Sequence, residues 1–199
     1  MKFFIEIGVA NFNTLYPLIQ GGWKGIMVDP MRELLSEIPD HPNLIKEFVA
    51  IHNKQGVEDF IMVTDPNFFV ESNVQIGMSG IKNSPNPLHH PHYKDKLTTF
   101  EVPTMSLDDL IDKHQVEHIN LLKVDTEGND GVILLNYSFK ILPDVIKFEH
   151  IHFSGIESNV DYVGMDQSYY TKMYNDLLFK LEKIGYVIWV EKDDVYCIR

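Results

Sequence analysis

The stretch that decides the fold is "INLLKVDTEGND", Ile119 to Asp130. It begins as a buried strand, with Ile119, Leu121, Leu122 and Val124, and then turns polar at Lys123, Asp125 and Glu127. Residues two apart on a strand share a face, so these three charges line one side. A strand buried on both faces in a parallel sheet should be apolar nearly throughout. Either the strand faces water, or it carries charge into a crevice. Its place midway along the chain favours the crevice.

Working outward, strand-like and helix-like segments alternate. "KFFIEIG" (2–8), "GIMVDP" (25–30), "LIKEFVAIHN" (44–53), "EDFIMVT" (58–64) and "DVIKFEHIHF" (144–153) read as strands. The 44–53 and 58–64 runs look joined around Gly56. Helices are expected over "TLYPLIQ" (14–20, with Thr14 as N-cap), "MRELLSEI" (31–38), "SLDDLIDKH" (106–114), residues near 130–137, and 166–185. Ser106 with Asp109 resembles a capping box. The closing "YVIWVEKDDVYCIR" (186–199) predicts a hairpin turning near Lys192 to Asp194. This alternation indicates an α/β fold with a mostly parallel sheet and a C-terminal antiparallel hairpin, helices covering both faces. One domain is expected over 1–199, with an irregular, proline-rich insertion at about 65–103 forming a loop on the substrate side.

Composition narrows the function. The 199 residues include 29 acidic and 17 basic side chains, for a net charge of −12, which gives no general attraction to nucleic acid. A single cysteine, Cys197, excludes an internal disulfide framework and a thiolate zinc cluster. No signal peptide and no membrane span is read, so a cytoplasmic setting is expected.

In open α/β sheets ligands sit at the carboxyl ends of strands. The first strand ends in "IEIGVANFNT", where Gly8 permits close approach of a ligand, and Asp29 ends the second strand about 20 residues on, placed to accept ribose hydroxyls. Asp29-Pro30 reads equally as a helix cap followed by proline. GxGxxG and GxxxxGK[ST] are both missing, which lowers dinucleotides and nucleoside triphosphates as ligands. A nucleoside with little phosphate remains, and S-adenosylmethionine, a cation suited to Glu6, fits. At the other strand ends, Asp125, Glu127, Glu149, His150 and His152 suit general base chemistry. They also suit a metal, although no diagnostic spacing such as HExxH occurs and none is expected. His89, His90 and His92 read as solvated loop residues.

Taken together and in this order, these segments resemble the FkbM family of S-adenosylmethionine-dependent methyltransferases. The resemblance is sharpest over "VPTMSLDDLIDKHQVEHINLLKVDTEGNDGVIL" (102–134), where Lys123, Asp125, Glu127 and Gly128 match the family's signature. "FIEIGVANFNT", "IMVDPMRELL" and "IKFEH" are similar to its first glycine motif, second strand end and late strand. The chain departs from the family in lacking the second glycine of Gly-Ala-Asn-x-Gly and in having Asp29 where Glu is commoner.

The resemblance implies a Rossmann-like seven-stranded methyltransferase sheet, S-adenosyl-L-methionine as cofactor, and O-methylation of a hydroxyl on a small molecule or glycan. It implies Asp125 or His150 as base, with Glu127 orienting the substrate. Glu6, Gly8, Asn11, Thr14, Asp29, His52, Asn53 and Ser79 are the expected cofactor contacts. Two other readings stay open: a metal-dependent hydrolase using Asp125, Glu127, Glu149 and His150 or His152, and a non-catalytic nucleotide-binding protein. A homo-oligomer is also open.

Overall fold

The computed structural model describes residues 2–12, 14–63, 79–84, 86–89, 93–154 and 167–199. His90, His92 and residues 64–78 of the expected insertion lie outside the described residues.

Seven strands form the main sheet: β1 (Phe3–Ile7), β2 (Lys24–Val28), β3 (Leu44–Glu47), β8 (Leu121–Val124), β9 (Val145–Glu149), β10 (Val187–Glu191) and β11 (Asp194–Ile198). Their spatial order is β10-β11-β9-β8-β1-β2-β3. Neighbours from β3 to β9 pair in parallel, while β11 runs antiparallel to both β9 and β10. The chain fills one side of β1 first, then crosses to β8 and fills the other. The carboxyl ends of β1 and β8 are thus the topological switch point, where an open α/β sheet leaves a crevice.

Helices cover both faces, as the expected alternation requires. Ile5, Ile7, Leu122, Val124, Ile146 and Phe148 are buried against α3 (Leu107–Lys113), α4 (Asp130–Asn136) and α5 (Gln167–Lys183). On the opposite face Phe4 and Met27 pack with Ile19 of α1 (Tyr16–Gln20) and Leu35 of α2 (Arg32–Leu35). The capping box forms: Asp109 N–H donates to Ser106 Oγ at 3.0 Å, and Ser106 N–H to Asp109 Oδ2 at 3.2 Å. Edge strand β10 leaves Val187 and Trp189 exposed.

A second sheet, ordered β4-β7-β5-β6, is made of β4 (Ala50–Ile51), β5 (Gly56–Val63), β6 (Ser79–Ile81) and β7 (Leu97–Met105). It corrects three expectations. The apolar run 44–53 is two strands in different sheets, because β3 pairs with β2 and β4 with β7. Gly56, expected to join the two runs, is instead the first residue of β5, which pairs with β6 and β7. The stretch expected to be irregular also holds β6, a 3-10 turn at Pro87–His89 and the nine-residue β7.

Two helix ends differ as well. Helix α1 starts at Tyr16 with Leu15 at its N-cap and no side-chain cap, so Thr14 is not the cap. Helix α2 stops at Leu35, with Ser36 as its C-cap, short of the expected end at Ile38. His89 is half-buried beside the Ser84 carbonyl rather than solvated, and burial lowers its pKa.

Candidate functional site

The crevice begins where β1 and β8 end against each other. Gly8 has φ of 81°, and a Cβ there would lie 1.8 Å from the Asp125 carbonyl oxygen. Only glycine satisfies both the left-handed backbone and the contact. Past Gly8 the loop folds onto the end of β2. Asp29 Oδ2 accepts the Ala10 N–H at 2.7 Å, and Oδ1 accepts the Met31 N–H at 2.8 Å. Asp29 therefore ties the glycine loop to the next helix. Burial pushes its carboxyl up to about 6, opposed by these N–H donors.

The row of charges that marks β8 is held from both sides. Glu6 and Lys123 are register partners on β1 and β8, and Lys123 Nζ lies 3.0 Å from Glu6 Oε1 and 3.3 Å from Asp125 Oδ2. Glu6 is fully buried, which raises its carboxyl pKa, while the ammonium pulls it back. Burial works against the Lys123 ammonium, but Glu6 and Asp125 outweigh it and hold the lysine charged.

The exit from β8 is strained and heavily braced. Glu127 has φ of 55° and Gly128 of 110°. A left-handed glutamate is costly and persists only where its surroundings fix it. Asp130, fully buried, supplies part of that bracing. Its Oδ2 accepts Thr126 Oγ1–H at 2.7 Å and Thr126 N–H at 3.1 Å, and its Oδ1 accepts Glu149 N–H at 3.3 Å. Burial, then the nearby Asp125, pushes its carboxyl up to about 6. Asn129 reaches the second sheet: Nδ2 donates to the Ile51 carbonyl at 2.9 Å, and Oδ1 accepts Ser84 Oγ–H at 2.8 Å and His52 Nδ1–H at 3.1 Å.

At the adjoining end of β9 three groups converge. His152 Nε2 lies 3.1 Å from Glu127 Oε2 and 3.3 Å from Glu149 Oε2. Burial pushes the Glu149 carboxyl up to about 8, with His152 opposing and Glu127, Asp125 and Asp130 adding to the rise. For His152 burial disfavours the proton, but Glu127 and Glu149 outweigh it and raise the imidazole pKa.

These elements surround a cavity of about 290 Å³. One wall is polar, with Gly8, Thr14, Asp29, Asp125, Glu127 and Glu149. The facing wall, from the second sheet and the segment leading into it, is apolar, with Val49, Ala50, Ile51, Phe60 and Ile81 beside Ser79.

Of the residues marked in the sequence, Gly8, Thr14, Asp29, Ser79, Asp125, Glu127 and Glu149 line this cavity together. Others fall elsewhere. Glu6 lies behind the wall, paired to Lys123. Asn11 donates its amide to Glu37 Oε2 at 3.0 Å, outside the cavity walls. His52 and Asn53 line a separate open pocket near Tyr169 and Met173.

His150 does not line the cavity. It is buried with Nε2 donating to the Lys192 carbonyl at 2.9 Å, Nδ1 3.0 Å from Ser154 Oγ, and its ring stacked on Tyr174. The imidazole that meets the acidic wall is His152. Asn129, Asp130 and the apolar wall are not marked in the sequence. "GND" before a helix signals only a helix start, and the apolar wall reads as ordinary strand.

A family model described as "Methyltransferase FkbM domain" matches residues 5–188. No curated protein matches the chain. Among solved structures, a methyltransferase FkbM from Methylobacillus flagellatus KT is similar over 100% of this chain, at 12% identity and a TM-score of 0.53. This chain spans 43% of that protein's length. A fibrillarin/Nop5p complex chain aligns over 98% of this chain and 70% of its own, at 12% identity and a TM-score of 0.43, a likeness too slight to bear on the fold.

Proposed function

The chain belongs to the FkbM methyltransferase family, and on that premise we propose that it O-methylates a hydroxyl of a small molecule or sugar, with S-adenosylmethionine as donor. The observation that carries the reading is the cavity at the switch point, polar and acidic on one wall and apolar on the other. The residues fit the cofactor. Gly8 lines the cavity where its loop turns against the Asp125 carbonyl, and Asp29 keeps lone pairs for ribose hydroxyls beyond its two backbone donors. Ile51, Phe60 and Ile81 offer an apolar slot for a base, and Asp125 and Glu127 face the same cavity.

When bound, S-adenosylmethionine supplies a methyl whose C–S bonding pair leaves with sulfur as the hydroxyl oxygen forms the new O–C bond. Asp125 takes the hydroxyl proton, and Glu127 orients the acceptor. The two walls exclude water and hold the reactants in line, from which much of the rate derives. The Asp125 carboxylate is paired with Lys123 Nζ at 3.3 Å. Its work is to accept a proton from an oxygen already made acidic by its surroundings.

Calorimetry with S-adenosylmethionine in the presence of EDTA tests the reading. One-site binding, weakened about tenfold or more by Asp29→Ala, is expected, because a lost ribose contact is worth upwards of 1.4 kcal/mol. Absence of binding would remove it. No helix among the described residues is long and apolar enough to cross a membrane; we place the acceptor among small molecules or glycans and the enzyme in the cytoplasm.

A further inference from the structure

Glu127, Glu149 and His152 each offer one ligand atom, and these atoms lie within 4.8 Å of one another. From this geometry we infer that the three side chains form a binding site for a divalent cation on the acidic wall of the cavity.

The spacing is the first support. Two ligands at about 2.1 Å from a metal, in adjacent octahedral positions, sit about 3 Å apart. The His152 Nε2 separations of 3.1 Å from Glu127 and 3.3 Å from Glu149 match that spacing. The second support is unmet polarity. Glu149 Oε2 is buried and accepts no hydrogen bond among the described residues, although it faces the imidazole. A buried carboxylate oxygen without a donor is costly, and a cation removes that cost.

The third support is rigidity. Glu127 is fixed by its left-handed backbone, and Glu149 by its N–H bond to Asp130. Held ligands of this kind define a metal site better than surface acids do. One imidazole and two carboxylates form a mixed nitrogen and oxygen set, suited to Mn²⁺ or Zn²⁺.

Glu127 and Glu149 line the cavity, so the ion's remaining positions open toward the acceptor. There it would acidify a coordinated hydroxyl beside Asp125. This catalytic role rests on the methyl-transfer reading; the ion site itself does not.

The test is titration of the full chain with Mn²⁺, followed by loss of the free-ion EPR signal, with Zn²⁺ run by calorimetry. One site is expected, with Kd below about 100 µM for at least one ion. Glu149→Gln and His152→Gln, each checked for native circular dichroism, are expected to weaken it at least about tenfold. Glu127→Gln serves as the second carboxylate variant should Glu149→Gln fail to fold.

Failure of both ions to bind the wild-type chain would overturn the site and leave His152 as an imidazolium bridging two carboxylates. Binding unchanged in the folded variants would overturn it equally. S-adenosylmethionine binding in EDTA is scored separately, so loss of the ion site and loss of the methyl-transfer reading give different results. A confirmed ion site whose removal leaves methyl transfer at full rate would overturn the catalytic role.

Discussion

Gly8 sits so close to the Asp125 carbonyl that no side chain fits between them. Gly8→Ala is expected to destabilise the fold by more than about 4 kcal/mol, combining a left-handed alanine with a backbone overlap; urea unfolding measures it. Asp29 yields a pH signature. Its folded pKa of about 6 stands above the ordinary 3.8, so the folded chain holds this proton more tightly than the unfolded one. Its stabilising contribution is complete at pH below the ordinary value and is lost as pH rises toward 6, by about 3 kcal/mol in all. Asp29→Asn is expected to flatten that segment of the stability profile, as denaturation at a series of pH values would reveal. Ribose hydroxyls favour the ionised carboxylate, so cofactor affinity should move oppositely and fall below about pH 6. The strand pattern flags these charges in the sequence, but β8 ends at Val124, and the turn after it, left-handed at Glu127, carries Asp125 and Glu127 to the cavity. His150 misleads because imidazoles two apart look equivalent in a strand pattern. The strand ends at Glu149, and beyond it only the path of the turn decides which ring meets the acids.

At the scale of elements, β1 and β8 are joined by more than their ladder. The buried Glu6–Lys123 pair fixes their register, and breaking it leaves a charge with no water. Lys123→Met is expected to cost about 3–5 kcal/mol. Glu6→Gln together with Lys123→Met should cost much less than the sum of the single changes, so a double-mutant cycle gives a clear coupling energy. The main sheet is readable because its strands and helices differ in period and are punctuated by Gly8, Gly22 and Gly185. The second sheet is not. The run 44–53 holds no glycine or proline, and no turn residue marks the point between Glu47 and Ala50 where it leaves one sheet for another. β7 carries Pro103, which argues against a strand by local rules, and its identity comes from long-range pairing with β5.

Across the whole molecule, Asn129 is the clamp between the helical exit of β8 and the sheet that faces it. Asn129→Ala removes that bridge, and a loss of about 1–3 kcal/mol is expected. Hydrogen exchange should report it chiefly as faster opening of β4 and β6, and a rise in KM larger than the fall in kcat should accompany it.

The floor and roof of the cavity also have different genealogies within the chain. All four strands of the roof's sheet come from one uninterrupted run, Ala50 to Met105, while the seven-stranded floor is assembled from what lies before and after it. The run therefore behaves as a cassette. Exchanging it for the matching run of a relative, with Asn129 retained, should shift donor affinity through the slot of Ile51, Phe60 and Ile81, while Gly8 and Asp29 stay in place. Selection can thus retune the apolar roof without reopening the glycine loop and the Asp29 carboxylate that face it.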